Sequence, residues 1–214
     1  MRKYFRFFLS ILSFIFPTTG KAEIKDVSYT DYYNQGIEFY ESGQYDSALK
    51  AYNKAIELEP NNADFHFEKG LTLNELEQPE LAIESFNKAI ELNPNESEFY
   101  YGKTVTLVGL KKYDLALEAI DNAVKLNNNN SNFYCFKGVI LSILEQYSLA
   151  LENFNKAIEL DPNNANFYCD KAVSLADLGK YDEALENFNK ALELNPDHAN
   201  AQEMKQFLLK EIAK

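Results

Sequence analysis

Residues 54–60 read KAIELEP, and the phrase returns as KAIELNP at 88–94, KAIELDP at 156–162 and KALELNP at 190–196. NAVKLNN at 122–128 stands where the missing copy belongs, so the period is 34 residues throughout. A fixed period of this size marks an array of supersecondary units, none of which buries its apolar face alone.

Counted from Tyr29, the units run 29–62, 63–96, 97–130, 131–164 and 165–198 with no insertion. Position 8 is Gly36, Gly70, Thr104, Gly138 and Ala172, and position 20 is Ala48, Ala82, Ala116, Ala150 and Ala184. Position 27 is Ala55, Ala89, Ala123, Ala157 and Ala191. These small residues let helices approach closely, and position 24 (Tyr52, Phe86, Ile120, Phe154, Phe188) supplies bulk to fill the space opposite. In the last unit Tyr168, Ala172 and Leu175 share one face of a first helix. Phe188 and Ala191 then fall on a second helix, after Gly179. Asp182 or a polar neighbour is expected to cap that second helix. Pro79 stands at the start of its second helix, where the missing N–H does no harm. Asn-Pro or Asp-Pro closes most units and disfavours helix continuation. The reading is all-α: helix pairs stacked into a solenoid, with residues 199–214 as a capping helix and 23–28 as a short linker. On the cap, Ala201, Met204, Leu208 and Ile212 share one face, with Glu203, Gln206, Lys210 and Lys214 opposite.

These units resemble the tetratricopeptide repeat, whose 34-residue pattern is W-x₂-L-G-x₂-Y…A-x₃-F…P. Position 4 departs from it, with Tyr32, His66, Tyr100, Tyr134 and Tyr168 in place of Trp. Position 7 departs too, with Gln35, Lys69, Lys103, Lys137 and Lys171 in place of Leu. The third repeat departs most and is expected to be the least tightly packed. The resemblance implies a right-handed α-solenoid that binds a protein or peptide along its concave face.

Under that resemblance, positions 5, 9 and 12 of the first helices are the candidate protein-binding groove. Position 5 is Tyr33, Phe67, Tyr101, Cys135 and Cys169, and position 9 is Ile37, Leu71, Val105, Val139 and Val173. Position 12 contributes Tyr40, Asn74 and Val108. The groove reads as apolar, aromatic toward its first repeats, with Asp64, Glu75, Glu98 and Asp177 at its fringe. The competing reading is that positions 5 and 9 pack between neighbouring helices. Position 5 carries no Lys and position 9 no Asn, which disfavours a clamp for C-terminal carboxylates. A Cys135–Cys169 bridge is disfavoured, because helices pack ~8–10 Å apart while a disulfide wants Cα atoms within ~7 Å. No HExxH, GxSxG, Gly-rich phosphate loop or CxxC occurs, and His66 takes an aromatic slot, so neither catalysis nor a cofactor or metal is expected.

With 21 basic and 33 acidic residues the formal net charge is −12, which disfavours nucleic acid as a partner. Residues 1–22 run against that balance: Arg2, Lys3 and Arg6 precede the apolar run Phe7–Phe16, then PTTGKA. This reads as a secretory signal peptide, the alternative being an uncleaved anchor. It predicts a periplasmic or secreted protein with no membrane span in the mature chain. The expected function is an exported, non-enzymatic scaffold or adaptor for an unidentified protein or peptide, as a monomer or weak homo-oligomer. The alternatives are a self-associating spacer in an envelope assembly and a secreted factor acting on a host cell.

Overall fold

The computed structural model describes residues 28–213, and the signal-like segment and the rest of the linker lie outside that range. The described residues form eleven helices. The repeats contribute α1 (Tyr29–Glu41) and α2 (Tyr45–Leu58), α3 (Ala63–Glu75) and α4 (Pro79–Leu92), and α5 (Ser97–Gly109) and α6 (Tyr113–Leu126). Next come α7 (Ser131–Ile143) and α8 (Tyr147–Leu160), α9 (Ala165–Asp177) and α10 (Tyr181–Leu194), and finally α11 (Ala199–Ile212). None of them is long and apolar enough to cross a membrane.

Four of the five first helices start on side-chain caps; α5, after Glu96, does not. Ser28 and Asp31 form a capping box, and the side chains of Asn62, Asn130 and Asn164 each accept a first-turn N–H. Second helices do not, and Asp182 is no cap: residue 180 takes that place without a side-chain bond. The reason is the turn. Gln44 N–H donates to the Phe39 carbonyl and Gly43 N–H to the Tyr40 carbonyl, a Schellman closure. The Gln44 carbonyl then accepts from Ala48 N–H, so one residue ends a helix and begins the next. The closure needs a left-handed residue at position 15. Gly43 and Gly179 supply it freely, while Glu77, Lys111 and Glu145 are held at φ 55°, 57° and 58°.

Within each pair, position 24 fills the notch left by position 8. A methyl group on Gly36 would run into the Tyr52 ring, and one on Gly70 or Gly138 would stand 2.7 or 2.8 Å from the ring of Phe86 or Phe154. In the third repeat the notch is filled differently: Thr104 and Ile120 are both fully buried. Ile120 is smaller than the rings elsewhere, which leaves room for Thr104, whose hydroxyl donates to the Tyr100 carbonyl at 2.7 Å.

Between repeats the chief contact is one the helical periodicity did not single out. Position 3 is Phe65, Phe99, Phe133 and Phe167, each buried. Position 4 instead ties the second, third and fifth repeats to the ones before them. The hydroxyls of Tyr100 and Tyr168 donate to the Pro94 and Pro162 carbonyls, and His66 Nε2 makes the same bond to Pro60. First helices of successive repeats touch (α3 with α5, α7 with α9), and no pair of second helices touches to that extent. The array therefore curves around its first helices.

The cap differs from its expected face. Ala201 and Leu208 are buried, but Ile212 is exposed, and Phe207 is 62% exposed.

Candidate functional site

The inner face is built from α1, α3, α5, α7 and α9 and is continued by α11. Its position-5 rings serve two surfaces. Tyr33 lies 4.8 Å from Phe65, Phe67 lies 5.0 Å from Phe99, and Tyr101 lies 5.1 Å from Phe133, all between ring centroids. Each ring thus packs against position 3 of the next repeat and stays mostly covered. Cys135 and Cys169 do not line an open groove: at 7% and 1% exposure they belong to the core. Both are free thiols. Cys135 Sγ donates to Asp170 Oδ2 at 3.3 Å. Burial pushes the Cys169 thiol up to about 11 and the Cys135 thiol higher still.

The accessible part of the face lies one turn further along. Val105 is exposed, and Ile37, Leu71, Val108, Val139 and Val173 are partly so. Tyr40 stands edge-on to Tyr45. Asn74 Nδ2 donates to Thr106 Oγ1 at 2.8 Å, and the Ser142 and Ser174 hydroxyls meet at 2.6 Å. These bonds join position 12 of one repeat to position 10 of the next and fix the register of the face. At its C-terminal end a cleft of about 360 Å³ is lined by Val139, Ser142, Ile143, Asp170 and Asn200, among others. A second cleft of about 260 Å³ is lined by Ala176, Tyr181, Phe207 and Leu208 among others, and shares Val173, Asp177 and Met204 with the first.

The electrostatics of the face is acidic. Burial, with Asp64 beside it, pushes the half-buried Glu68 carboxyl above the ordinary carboxylate range. Burial likewise raises Asp170, opposed by the Cys135 bond and by His198. Tyr52 is fully buried, and its hydroxyl is the one buried side-chain polar atom without a partner among the described residues. Burial and the Glu68 charge raise that phenol far above its usual range. The position-7 lysines turn the other way: Lys137 Nζ pairs with Asp121 Oδ1 on α6 at 2.7 Å.

Sequence reading missed position 3, the acids Glu68 and Asp170 at position 6, and the cap residues Asn200 and Phe207. The 34-residue recurrence of Phe65, Phe99, Phe133 and Phe167 is a signal that would have found the first. Also unforeseen is a row of exposed leucines at position 19 on the second helices: Leu81, Leu115 and Leu149.

The family described as Tetratricopeptide repeat matches residues 63–96, 131–164 and 165–198, and that described as TPR repeat matches 36–76. Together they span 36–96 and 131–198, more than half of the chain. A search of the curated proteins returns no match. Among solved structures, a MamA protein is 27% identical with a TM-score of 0.73, over 81% of this chain and 94% of that one. YrrB, described as a TPR protein with an unusual peptide-binding site, is 27% identical with a TM-score of 0.72, over 86% of this chain and 95% of that one. PilF of Pseudomonas aeruginosa, at 20% identity and a TM-score of 0.74 over 88% of this chain and 86% of that one, shares the fold.

Proposed function

The chain belongs to the tetratricopeptide repeat family, and on that premise we propose that it is an exported, non-enzymatic scaffold that holds a peptide or helical segment of another protein on its inner face. The observation that carries this reading is the accessible apolar strip Val105, Val139 and Val173, which runs into the clefts beside α11. A preformed curved surface offers apolar burial without a folding cost at the site. The position-5 aromatics hold the repeats in place, and the valines beside them meet the ligand. YrrB offers a precedent for peptide binding on this architecture. Export rests on the signal-like residues 1–22.

The test is selection of a displayed peptide library on the full chain, with a counter-screen. The variant Val105→Arg/Val139→Arg/Val173→Arg, checked for an unchanged thermal midpoint, is expected to lose the selected peptides. Retention of those peptides by the variant overturns the reading.

One observation favours a second reading. Leu81, Leu115 and Leu149 form an apolar row on the outer helices, suited to self-association in an assembly. Sedimentation over a wide concentration range decides it, since a strictly monomeric chain excludes this role.

A further inference from the structure

The apolar strip leaves the charge of the inner face unexplained. At positions 2, 5, 6, 9, 12 and 13 of the five first helices no residue is Lys or Arg. The acids at these positions are Glu41 on α1, Asp64, Glu68 and Glu75 on α3, Glu98 at the start of α5, and Asp170 and Asp177 on α9. The middle of the strip, Tyr101 to Val139, is largely apolar. The acids of α3 and Asp177 make no ion pair with a cation among the described residues. Asp170 has only the Cys135 thiol and the more distant His198 imidazole.

A second feature sits at the α3 cluster. Tyr52 carries a buried hydroxyl with no partner, and Glu68 is its strongest charged neighbour. The equivalent residues Phe86, Phe154 and Phe188 have no such group. The half-buried Glu68 carboxylate lacks a counterion, which a cationic side chain arriving on this face would supply.

We propose that the occupant of the inner face is a cationic peptide segment, with Lys or Arg at both ends of an apolar stretch. Glu68 receives one cation, and Asp170 with Asp177 receives the other. This inference rests on the peptide-binding reading above and names its ligand class. Glu68 and Asp170 hold the same position three repeats apart. At ~10 Å between neighbouring first helices the two acids stand ~30 Å apart. An extended chain covers that distance in about nine residues. Like-charge exclusion by the same acids rejects acidic segments.

The experiment uses three fluorescein-labelled peptides with one Leu/Val/Ser centre and Arg, Gln or Glu pairs about nine residues apart. Binding to the full chain is read by anisotropy at low and at moderate salt. The Arg peptide is expected to bind at least ~10-fold tighter than the Gln peptide at low salt, and the Glu peptide weakest. The Arg advantage is expected to shrink as salt rises. In Glu68→Gln/Asp177→Asn, with an unchanged helical circular dichroism, it is expected to fall below ~3-fold. Equal binding of Arg and Gln peptides, or an Arg preference that survives the double variant, overturns the charge assignment and leaves peptide binding standing. If none of the three binds, and the displayed library also yields no peptide dependent on the valine strip, the peptide-binding reading falls with it.

Discussion

Tyr52 differs from Phe86, Phe154 and Phe188 by one oxygen, and that oxygen is buried without a hydrogen bond. Removing an unsatisfied buried hydroxyl recovers its desolvation cost, so Tyr52→Phe is expected to stabilise the fold by about 1 kcal/mol in urea unfolding. A loss of stability would show that the hydroxyl has a partner. Glu68 makes a related prediction with a pH signature. Its carboxyl keeps its proton to higher pH when folded than when unfolded, because burial raises it. The fold therefore loses stability as pH rises from the ordinary carboxylate value through the raised one, and the penalty is complete above that. Glu68→Gln is expected to stabilise the protein at pH 7 by roughly 0.5–1 kcal/mol, discounted for partial exposure. At a pH below the ordinary carboxylate range the difference is expected to vanish. An equal gain at both pH values would remove ionisation as the cause.

At the scale of elements the turn is where these repeats depart most from ideal chemistry. Glu77, Lys111 and Glu145 occupy a left-handed position that Gly43 and Gly179 fill without strain. Glu77→Gly is expected to stabilise the fold by about 0.5–1 kcal/mol in urea unfolding, after glycine's greater chain entropy is subtracted. A destabilised variant would mean that the Glu77 side chain contributes more than its backbone costs. The interface between pairs hangs on position 3. Phe99→Ala is expected to cost about 3–5 kcal/mol. It is also expected to split hydrogen-exchange protection at the junction of the second and third repeats, as nearest-neighbour coupling requires. Uniform loss of protection along the array would contradict that coupling. The phase of the repeat and the pairing of positions 8 and 24 were legible in the sequence, because a 34-residue recurrence samples each contact several times. Position 3 was not read, because a helical wheel seeks a single buried face. An interior first helix is covered by its own partner helix and by both neighbouring repeats, so its buried surface wraps around most of it.

For the whole molecule, curvature around the first helices turns five short strips into one continuous inner surface. The sequence made that surface visible as rows of positions. It did not show how deeply each row sits, since depth depends on how closely neighbouring first helices approach. Hence Val105, Val139 and Val173 are reachable, while Cys135 and Cys169, one turn away, are sealed. The sealed thiols are expected to alkylate at least ~10-fold more slowly in the native protein than after denaturation. Fast native alkylation would mean that the fourth and fifth repeats open readily. The same geometry sets the most direct test of the proposed role, a methyl NMR titration of the full chain with a library-selected peptide. Shifts are expected only at inner-face methyls: Leu71, Val105, Val108, Val139, Val173 and Met204. Shifts centred instead on Ile83, Ile90 and Leu115, in the cleft between the outer helices and α5, would contradict that role.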